Sequence, residues 1–403
     1  MRKSLFNLLL LMLASTSLMA GGYQVRLQGA RQTGMGLTGT ALKSGASDIF
    51  YNPGSLSFLG KKFELNLGGN AIISKISFRD LESDYTAKTD NPVSPPFFVY
   101  GAGKITDKLV MGLGVYTPYG SKTVWPDDWK GRYLIQNIGL RAYYLQPTLS
   151  YQLSDKFGIG AGFVYMYGKA DIQKALPYND ATANLSGSAT AMGFNLGLFF
   201  KATDKINLGI NYRSKIDVEL TEGDATFDIP TSISTILPTN NKFSASLPMP
   251  ANLDFGVSIQ ATDKLLLSLE LNWVMWGVYD TLTFTFKEKG ELLNSKNPRL
   301  YSDSFIPRLG IEYNASQKLT LRAGAYYDKT PTNKDYFNPE TVSLNTMAFT
   351  FGFTYKPTDN LKVDFSFAQL FGQEMERAYT PANFSGKYKS SASIPGLGIT
   401  YSF

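Results

Sequence analysis

The chain has 403 residues, 39 lysines and arginines against 33 aspartates and glutamates, a net charge of +6, and neither histidine nor cysteine. The absence of histidine excludes Ser-His-Asp hydrolases and histidine-ligated metal sites, and the absence of cysteine excludes disulfides and thiol nucleophiles. The small, scattered charge does not indicate nucleic-acid binding, and 14% aromatic residues with 37 glycines are typical of strands and aromatic girdles.

Residues 1–20 have the pattern of a secretory signal peptide. Arg2 and Lys3 precede an apolar run over 5–13, which is too short to cross a bilayer, and small residues follow at 14–17. We predict cleavage after Ala20; a retained anchor helix is the less favoured alternative. The exported protein would then be located in the periplasm, in the outer membrane or in the medium.

Residues 21–60 are glycine-rich and show neither a helical nor a strand period. About forty residues of this kind cannot form a core of their own. The segment ends near Asn52-Pro53-Gly54 and precedes more than three hundred residues of strand-like sequence. We therefore predict a plug, or hatch, enclosed by the rest of the chain.

The pattern of turns and strands over residues 61–403 predicts one closed barrel. Six polar turns with Ser or Thr followed by Asp, Asn or Gln recur along it, each flanked by apolar strands. The predicted strand pairs are 97–104 with 109–118, 141–152 with 157–172, 190–200 with 206–220, 251–260 with 265–287, 302–313 with 319–328, and 346–355 with 361–371. Strands 61–79 and 390–403 bring the number to fourteen, an even number with both ends on the side of the short turns.

The strands carry large apolar residues on one face and small or charged residues on the other. Phe349, Phe351 and Phe353 alternate with Thr350, Gly352 and Thr354, which suits lipid outside and a polar interior. The predicted fold class is all-β: a 14-stranded antiparallel transmembrane β-barrel with an N-terminal hatch in the lumen. A pair of soluble β-sandwiches is disfavoured, because no linker resembles a domain boundary. The long intervals 80–96, 119–140, 221–250 and 372–389 would lie outside the cell.

Several short motifs match one known family in order and spacing. They are Asn52-Pro53-Gly54, where the family has Asn-Pro-Ala, Tyr212-Arg213-Ser214, Leu247-Pro248-Met249-Pro250, Trp276, and Pro307-Arg308-Leu309-Gly310. Over essentially its whole mature length the chain resembles the FadL/TodX (outer-membrane protein P1) family, fourteen-stranded transporters of long-chain fatty acids and other hydrophobic compounds. The resemblance implies a hatch over 21–60 and a kink in the third strand that opens the wall sideways.

Gly112 and Gly114 lie on one face of the third predicted strand and favour a bend there. Such a bend would fit a lateral exit beside Asn52, Pro53 and Gly54. The two glycines could equally make room for the hatch, and the two interpretations do not exclude each other.

The predicted loops 173–189 and 221–250 carry an apolar set that would be an unexplained exposed patch unless it packs or binds a ligand. Its members include Phe227, Ile233, Ile236 and Phe243. The resemblance places a carboxylate-binding basic residue at Lys174. A second basic position falls on Thr283, with Lys287 as a substitute. Arg213, Arg308 and Arg322 face inward, where they could form a basic lumen or pair with Glu270 and Glu312.

We therefore predict a monomeric bacterial outer-membrane protein that imports hydrophobic compounds passively, with long-chain fatty acids the favoured substrate and no enzymatic activity or cofactor. Uncharged monoaromatic hydrocarbons are the alternative substrate. A general porin would lack the plug, and an outer-membrane enzyme is disfavoured by the missing histidine. The expected partners are outer-membrane lipid and lipopolysaccharide, and the barrel assembly machinery through the last strand, which ends in Phe403.

Overall fold

The computed structural model describes residues 22–178, 181–234 and 236–403. The predicted signal peptide lies outside the described residues. Within them the chain forms a closed antiparallel barrel of fourteen strands, several of them interrupted, so the predicted number is confirmed. No helix in this part of the chain is long and apolar enough to cross a membrane.

The strands follow one another around the barrel, and the last pairs with the first. Their bounds are Phe63–Asn70 with Ile73–Arg79, Phe97–Lys104, Leu109–Val124, Asn137–Gln152, Phe157–Ala175, Thr182–Lys201, Ile206–Arg213 with Ile216–Asp228, Asn240–Met249 with Asn252–Gln260, Leu265–Val274 with Thr281–Phe286, Ser295–Pro298 with Ser304–Asn314, Leu319–Asp328, Thr346–Tyr355, Leu361–Gly372 and Phe384–Ser402. Two short strands, Thr86–Lys88 and Met375–Tyr379, extend the outer connections. Register pairs such as Glu64 with Ser402 close the barrel.

The helices are short. The α-helices are Ala30–Gly34, Asp48–Tyr51 and Gly290–Leu293, and the 3₁₀ turns are Ser55–Phe58, Thr231–Ile233, Trp276–Val278 and Thr380–Ala382.

The short turns form as their sequence predicts. In the turn after the sixth strand, the Thr203 hydroxyl accepts hydrogen bonds from the backbone N–H groups of Lys205 and Ile206, at 3.2 and 3.1 Å. Equivalent hydroxyls at Thr106, Ser154, Thr262 and Ser316 accept the same pair of bonds. These side chains satisfy backbone donors that a tight hairpin leaves free.

The outer face carries the apolar band. Phe349, Phe351 and Leu397 are exposed there, whereas the alternate residues Thr350 and Gly396 are buried on the inside. Exposed aromatic and aliphatic side chains around a polar interior are stable only against lipid.

The predicted loops 173–189 and 221–250 are wrong in extent, because most of their residues continue the strands. The fifth and sixth strands meet across 176–181, and the seventh and eighth across 229–239. In these upper parts Leu185 and Phe227 point inward and are buried, while Lys169 and Asp171 point outward. Above the lipid the alternation is reversed, with apolar residues inside and polar residues outside.

Candidate functional site

Residues 22–60 lie in the barrel lumen, where ion pairs hold them to the wall. Arg26 contacts Asp254 at 3.0 Å and Glu270 at 2.8 Å, and all three side chains are buried. The second oxygen of Glu270 accepts hydrogen bonds from the N–H groups of Gly39 and Thr40, at 2.8 and 2.9 Å. One wall carboxylate therefore fixes two separate parts of the hatch.

A second ionic cluster holds the first hatch helix. Arg31 contacts Glu312 at 2.9 Å, and Arg322 contacts both Glu312 at 2.7 Å and Asp364 at 3.1 Å. Arg308 lies 3.9 Å from Glu270. Arg322 thus pairs with two inward carboxylates, as interpreted, whereas Arg308 donates to the Asn272 side chain at 3.0 Å and only approaches Glu270.

Asn52, Pro53 and Gly54 pack against the fourth, fifth and sixth strands. The Asn52 amide donates to the carbonyls of Thr40 and Leu198, and the Pro53 carbonyl accepts from the Ser150 hydroxyl. A Cβ on Gly54 would lie 2.8 and 2.9 Å from the carbonyl oxygens of Gly197 and Gly158. The wall backbone here leaves no space for a methyl group, so glycine suits position 54.

Gly112 and Gly114 lie in a regular part of the third strand, so the kink expected there is wrong in position. Both residues stay in register with the second and fourth strands. A Cβ on Gly112 would come within 2.6 Å of the Ile49 side chain, so the glycines make room for the hatch. The register with the fourth strand shifts instead between Tyr116 and Tyr119.

The hatch forms hydrogen bonds with backbone groups that this register shift leaves without a partner on a neighbouring strand. The N–H of Val25 donates to the Pro118 carbonyl at 2.7 Å, and the N–H of Gly120 donates to the Tyr23 carbonyl at 3.0 Å. The register shift between Tyr116 and Tyr119 is a β-bulge that contains Pro118, and proline has no N–H to donate to a neighbouring strand. Pro118 inside a predicted strand was the signal that could have located the bulge from the sequence.

The wall has a window above the bulge, since the second strand begins only at Phe97. The N–H of Phe97 bonds to the Thr117 hydroxyl below the window, and the N–H of Asp90 bonds to the Val124 carbonyl above it. We call the space at this window the lateral groove; it encloses about 1830 Å³, including its part open to solvent. Its lining joins inward residues such as Val25 and Leu140 to outward residues such as Arg141 and Tyr143.

A second space, which we call the inner cavity, lies under the extracellular connections between the fourth and ninth strands. It encloses about 820 Å³ including its open part, and its lining is mostly apolar. Lining residues include Met166, Leu185, Val218, Phe243, Leu247 and Phe284. Leu140 and Thr341 line both the inner cavity and the lateral groove, so the two spaces adjoin.

The connection after the eleventh strand folds inward and separates the two spaces. Glu340 in it pairs with buried Arg299 and lines the inner cavity. The Ser343 hydroxyl accepts a hydrogen bond from the N–H of Gly22 at 3.0 Å. This connection and the start of the hatch therefore meet; the sequence contained no periodic signal for this inward fold.

The predicted apolar ligand residues do not all lie together. Phe243 lines the inner cavity, and Phe227 packs in the same apolar cluster behind it. Ile233 and Ile236 lie on the outer connection between the seventh and eighth strands, where Ile236 is half exposed.

The predicted basic residues are also dispersed. Lys174 is half-buried at the top of the fifth strand, two residues from Ile172 in the cavity lining, above the outward-facing pair of Lys169 and Asp171. Burial lowers the pKa of Lys174, and nearby Glu340 opposes that shift.

Lys287 is exposed at the outer end of the ninth strand, away from the cavity lining. Arg213 is buried below the cavity, where it donates to the Phe50 carbonyl, the Tyr116 hydroxyl and the Gln146 side chain. These contacts join Arg213 to the hatch and are all with uncharged groups, so the interpretation that Arg213 pairs with an inward carboxylate is wrong.

Comparison with known proteins gives a consistent family. Residues 11–403 match the model of the outer membrane protein transport protein family (OMPP1/FadL/TodX). Outer membrane protein P1 of Haemophilus influenzae is 25% identical over 90% of this chain and 91% of its own length. Two crystal structures share the fold: a Pseudomonas aeruginosa FadL homologue (TM-score 0.83, 20% identity, 95% and 100% coverage) and the P. putida toluene transporter TodX (TM-score 0.75, 21% identity, 93% and 98% coverage).

Proposed function

Because the chain belongs to the outer membrane protein transport protein family (OMPP1/FadL/TodX), we propose that it imports long-chain fatty acids passively across the bacterial outer membrane. The family consists of outer-membrane transporters of hydrophobic compounds, not enzymes. The substrate and the route through this chain are our proposals.

The contact between the inner cavity and the lateral groove is the observation that carries the proposed route. The hatch fills the lumen below both spaces and is held by buried ion pairs, which disfavours a straight path along the barrel axis. A ligand would enter the inner cavity from outside, pass Leu140 and Thr341, and leave through the window above Phe97 and Thr117. Apolar residues such as Phe243, Leu140 and Phe97 line this route, which suits an alkyl chain.

Fatty acids suit the site because an apolar cavity lies below a half-buried cation. Lys174 would receive the carboxylate while the alkyl chain contacts residues such as Met166 and Phe243. Two observations favour uncharged aromatics as the second candidate. Glu340 lines the cavity, and Thr283 stands at the second position where the resemblance implies a basic residue.

Leu140→Trp tests the route, because the larger side chain would fill the space where the cavity meets the groove. Leu145→Trp is the matched control, since Leu145 lies on the same strand but faces lipid and is 41% exposed. We expect oleate uptake by cells that carry Leu140→Trp to fall, with the amount of folded barrel unchanged. Equal uptake by the two variants would contradict the route. If cells with the unsubstituted protein take up no more oleate than cells without it, the proposed substrate is contradicted.

The remaining partners belong to the same proposal. We propose that the protein acts as a monomer, that its apolar band contacts outer-membrane lipid and lipopolysaccharide, and that the strand ending in Phe403 is recognised by the barrel assembly machinery. The apolar band and the terminal aromatic residue support these assignments. The signal peptide over 1–20 remains a prediction.

A further inference from the structure

We propose that Lys122 and Arg141 form an anion-binding site at the outer mouth of the lateral groove, which receives the carboxylate of a departing fatty acid. This inference rests on the proposed lateral route. It adds a second head-group site, on the wall rather than in the inner cavity.

The bulge brings the two cations onto one face. Below it, Tyr116 lies opposite Tyr144; above it, Gly120 lies opposite Arg141 and Lys122 opposite Gly139. Lys122 and Arg141 are therefore diagonal neighbours on adjacent strands, and both line the groove. Gly139 leaves space for the lysine, whose Nζ lies 3.8 Å from where a Cβ on Gly139 would stand.

The charge around this mouth is mainly positive. Arg141 forms no ion pair with any residue that the structure describes, and Lys122 donates to the Asn137 side chain at 2.5 Å. Lys169 lies opposite Arg141 on the fifth strand and pairs with Asp171 at 3.7 Å. Three cations are thus accompanied by one carboxylate, that of Asp171. The excess positive charge can bind an anion.

The height of the pair suits a lipid head group. Tyr143, the next outward residue below Arg141, is exposed, and its ring stacks near that of Tyr167 at 6.4 Å between centroids. Tyrosines at such positions mark the boundary between lipid and water.

The remaining lining fits an alkyl chain. Pro95, Pro96 and Phe97 form one side of the groove, and Val25 and Leu140 form its inner end. A ligand there would keep its carboxylate on Lys122 and Arg141 while its chain lies between the groove and the bilayer. The charged residues in the lining of the inner cavity, Lys169 and Glu340, already have partners of opposite charge in Asp171 and Arg299, so an anion gains less there than beside Arg141.

Because the chain contains no cysteine, a single introduced cysteine can be labelled specifically to test this site. Ser121, which lines the groove, is replaced by cysteine and labelled with a fluorophore in the full chain, purified in an uncharged detergent. Stearic acid carrying a nitroxide quencher near its carboxylate (5-doxyl) or near its methyl end (16-doxyl) is titrated, together with the methyl ester of each. Lys122→Gln with Arg141→Gln is the test variant. Lys296→Gln with Lys329→Gln is the control, since both residues are exposed on the far side of the barrel.

We expect the 5-doxyl acid to quench more strongly than the 16-doxyl acid, and its apparent affinity to fall about three- to tenfold in the test variant only. The esters should bind equally to all variants. If acid and ester weaken alike in the test variant, or if neither changes, the inference is overturned while the route stands. If no probe quenches the label even in the otherwise unchanged protein, both the inference and the proposed lateral route fail.

Discussion

Replacing Glu270 by alanine should release the hatch from the wall. The Glu270 carboxylate contacts Arg26 at 2.8 Å and accepts from the N–H groups of Gly39 and Thr40 within 2.9 Å. Its removal leaves Arg26 with Asp254 alone and leaves two buried N–H groups without this acceptor. Removing one partner of a buried ion pair costs about 3–5 kcal/mol. That cost corresponds to an increase of roughly two to three and a half powers of ten in the population of displaced hatch.

The assay is single-channel conductance in planar bilayers, because a displaced hatch opens an aqueous path along the barrel axis. Glu270→Ala should show frequent openings, and Glu270→Gln, which keeps an oxygen acceptor but loses the charge, should show fewer. Glu374→Ala is the matched control. Its pair with Arg79, at 2.9 Å, is half exposed and should contribute less than about 1 kcal/mol. Openings as rare in Glu270→Ala as in Glu374→Ala would refute the argument that buried ion pairs hold the hatch.

Two further predictions concern the cavity and the hatch. Because burial lowers the pKa of Lys174, its ammonium is lost at lower pH than that of a free lysine. Oleate affinity measured by fluorescence titration should therefore fall already at pH values below the ordinary lysine pKa of about 10.4, and Lys174→Arg should remove the dependence; an unchanged dependence would argue for another head-group site. Gly54→Ala places a methyl group within 2.9 Å of two wall carbonyls and should destabilise the protein by about 1–3 kcal/mol in urea unfolding. Gly60→Ala, with nothing within 4 Å of its Cβ, is the control, and equal stability of the two variants would contradict the steric argument.

The membrane part of the barrel could be predicted because two regularities coincide there. Lipid outside and polar contacts inside impose a strict alternation, as at Phe349 and Thr350, and short turns such as the one at Thr203 carry their own hydrogen-bonding side chains. The number of strands follows from these local patterns, and the hatch was predicted from their absence over residues 21–60.

The outer half was harder to predict, because apolar residues there turn inward toward a cavity while polar residues meet water. Leu185 and Phe227 therefore resembled a loop patch, although they belong to strands. The pairing of Arg299 with Glu340 and of the hatch with Pro118 depends on contacts between distant parts of the chain. No local period encodes such contacts, so the window and the boundary between the two spaces emerged only from the structure.

The seam between the first and last strands has a consequence for biogenesis. The N–H of Phe403 bonds to the Phe63 carbonyl at 3.0 Å, and the N–H of Phe63 bonds to the Phe403 carbonyl at 2.9 Å. The cylinder can thus be sealed only when the last strand, Phe384–Ser402, is available to pair with the first. Residues 22–60 are synthesised before any strand, yet they touch strands from many parts of the circumference, including the last one through Ala30 and Gly398. The hatch is therefore made before the strand that completes its surroundings.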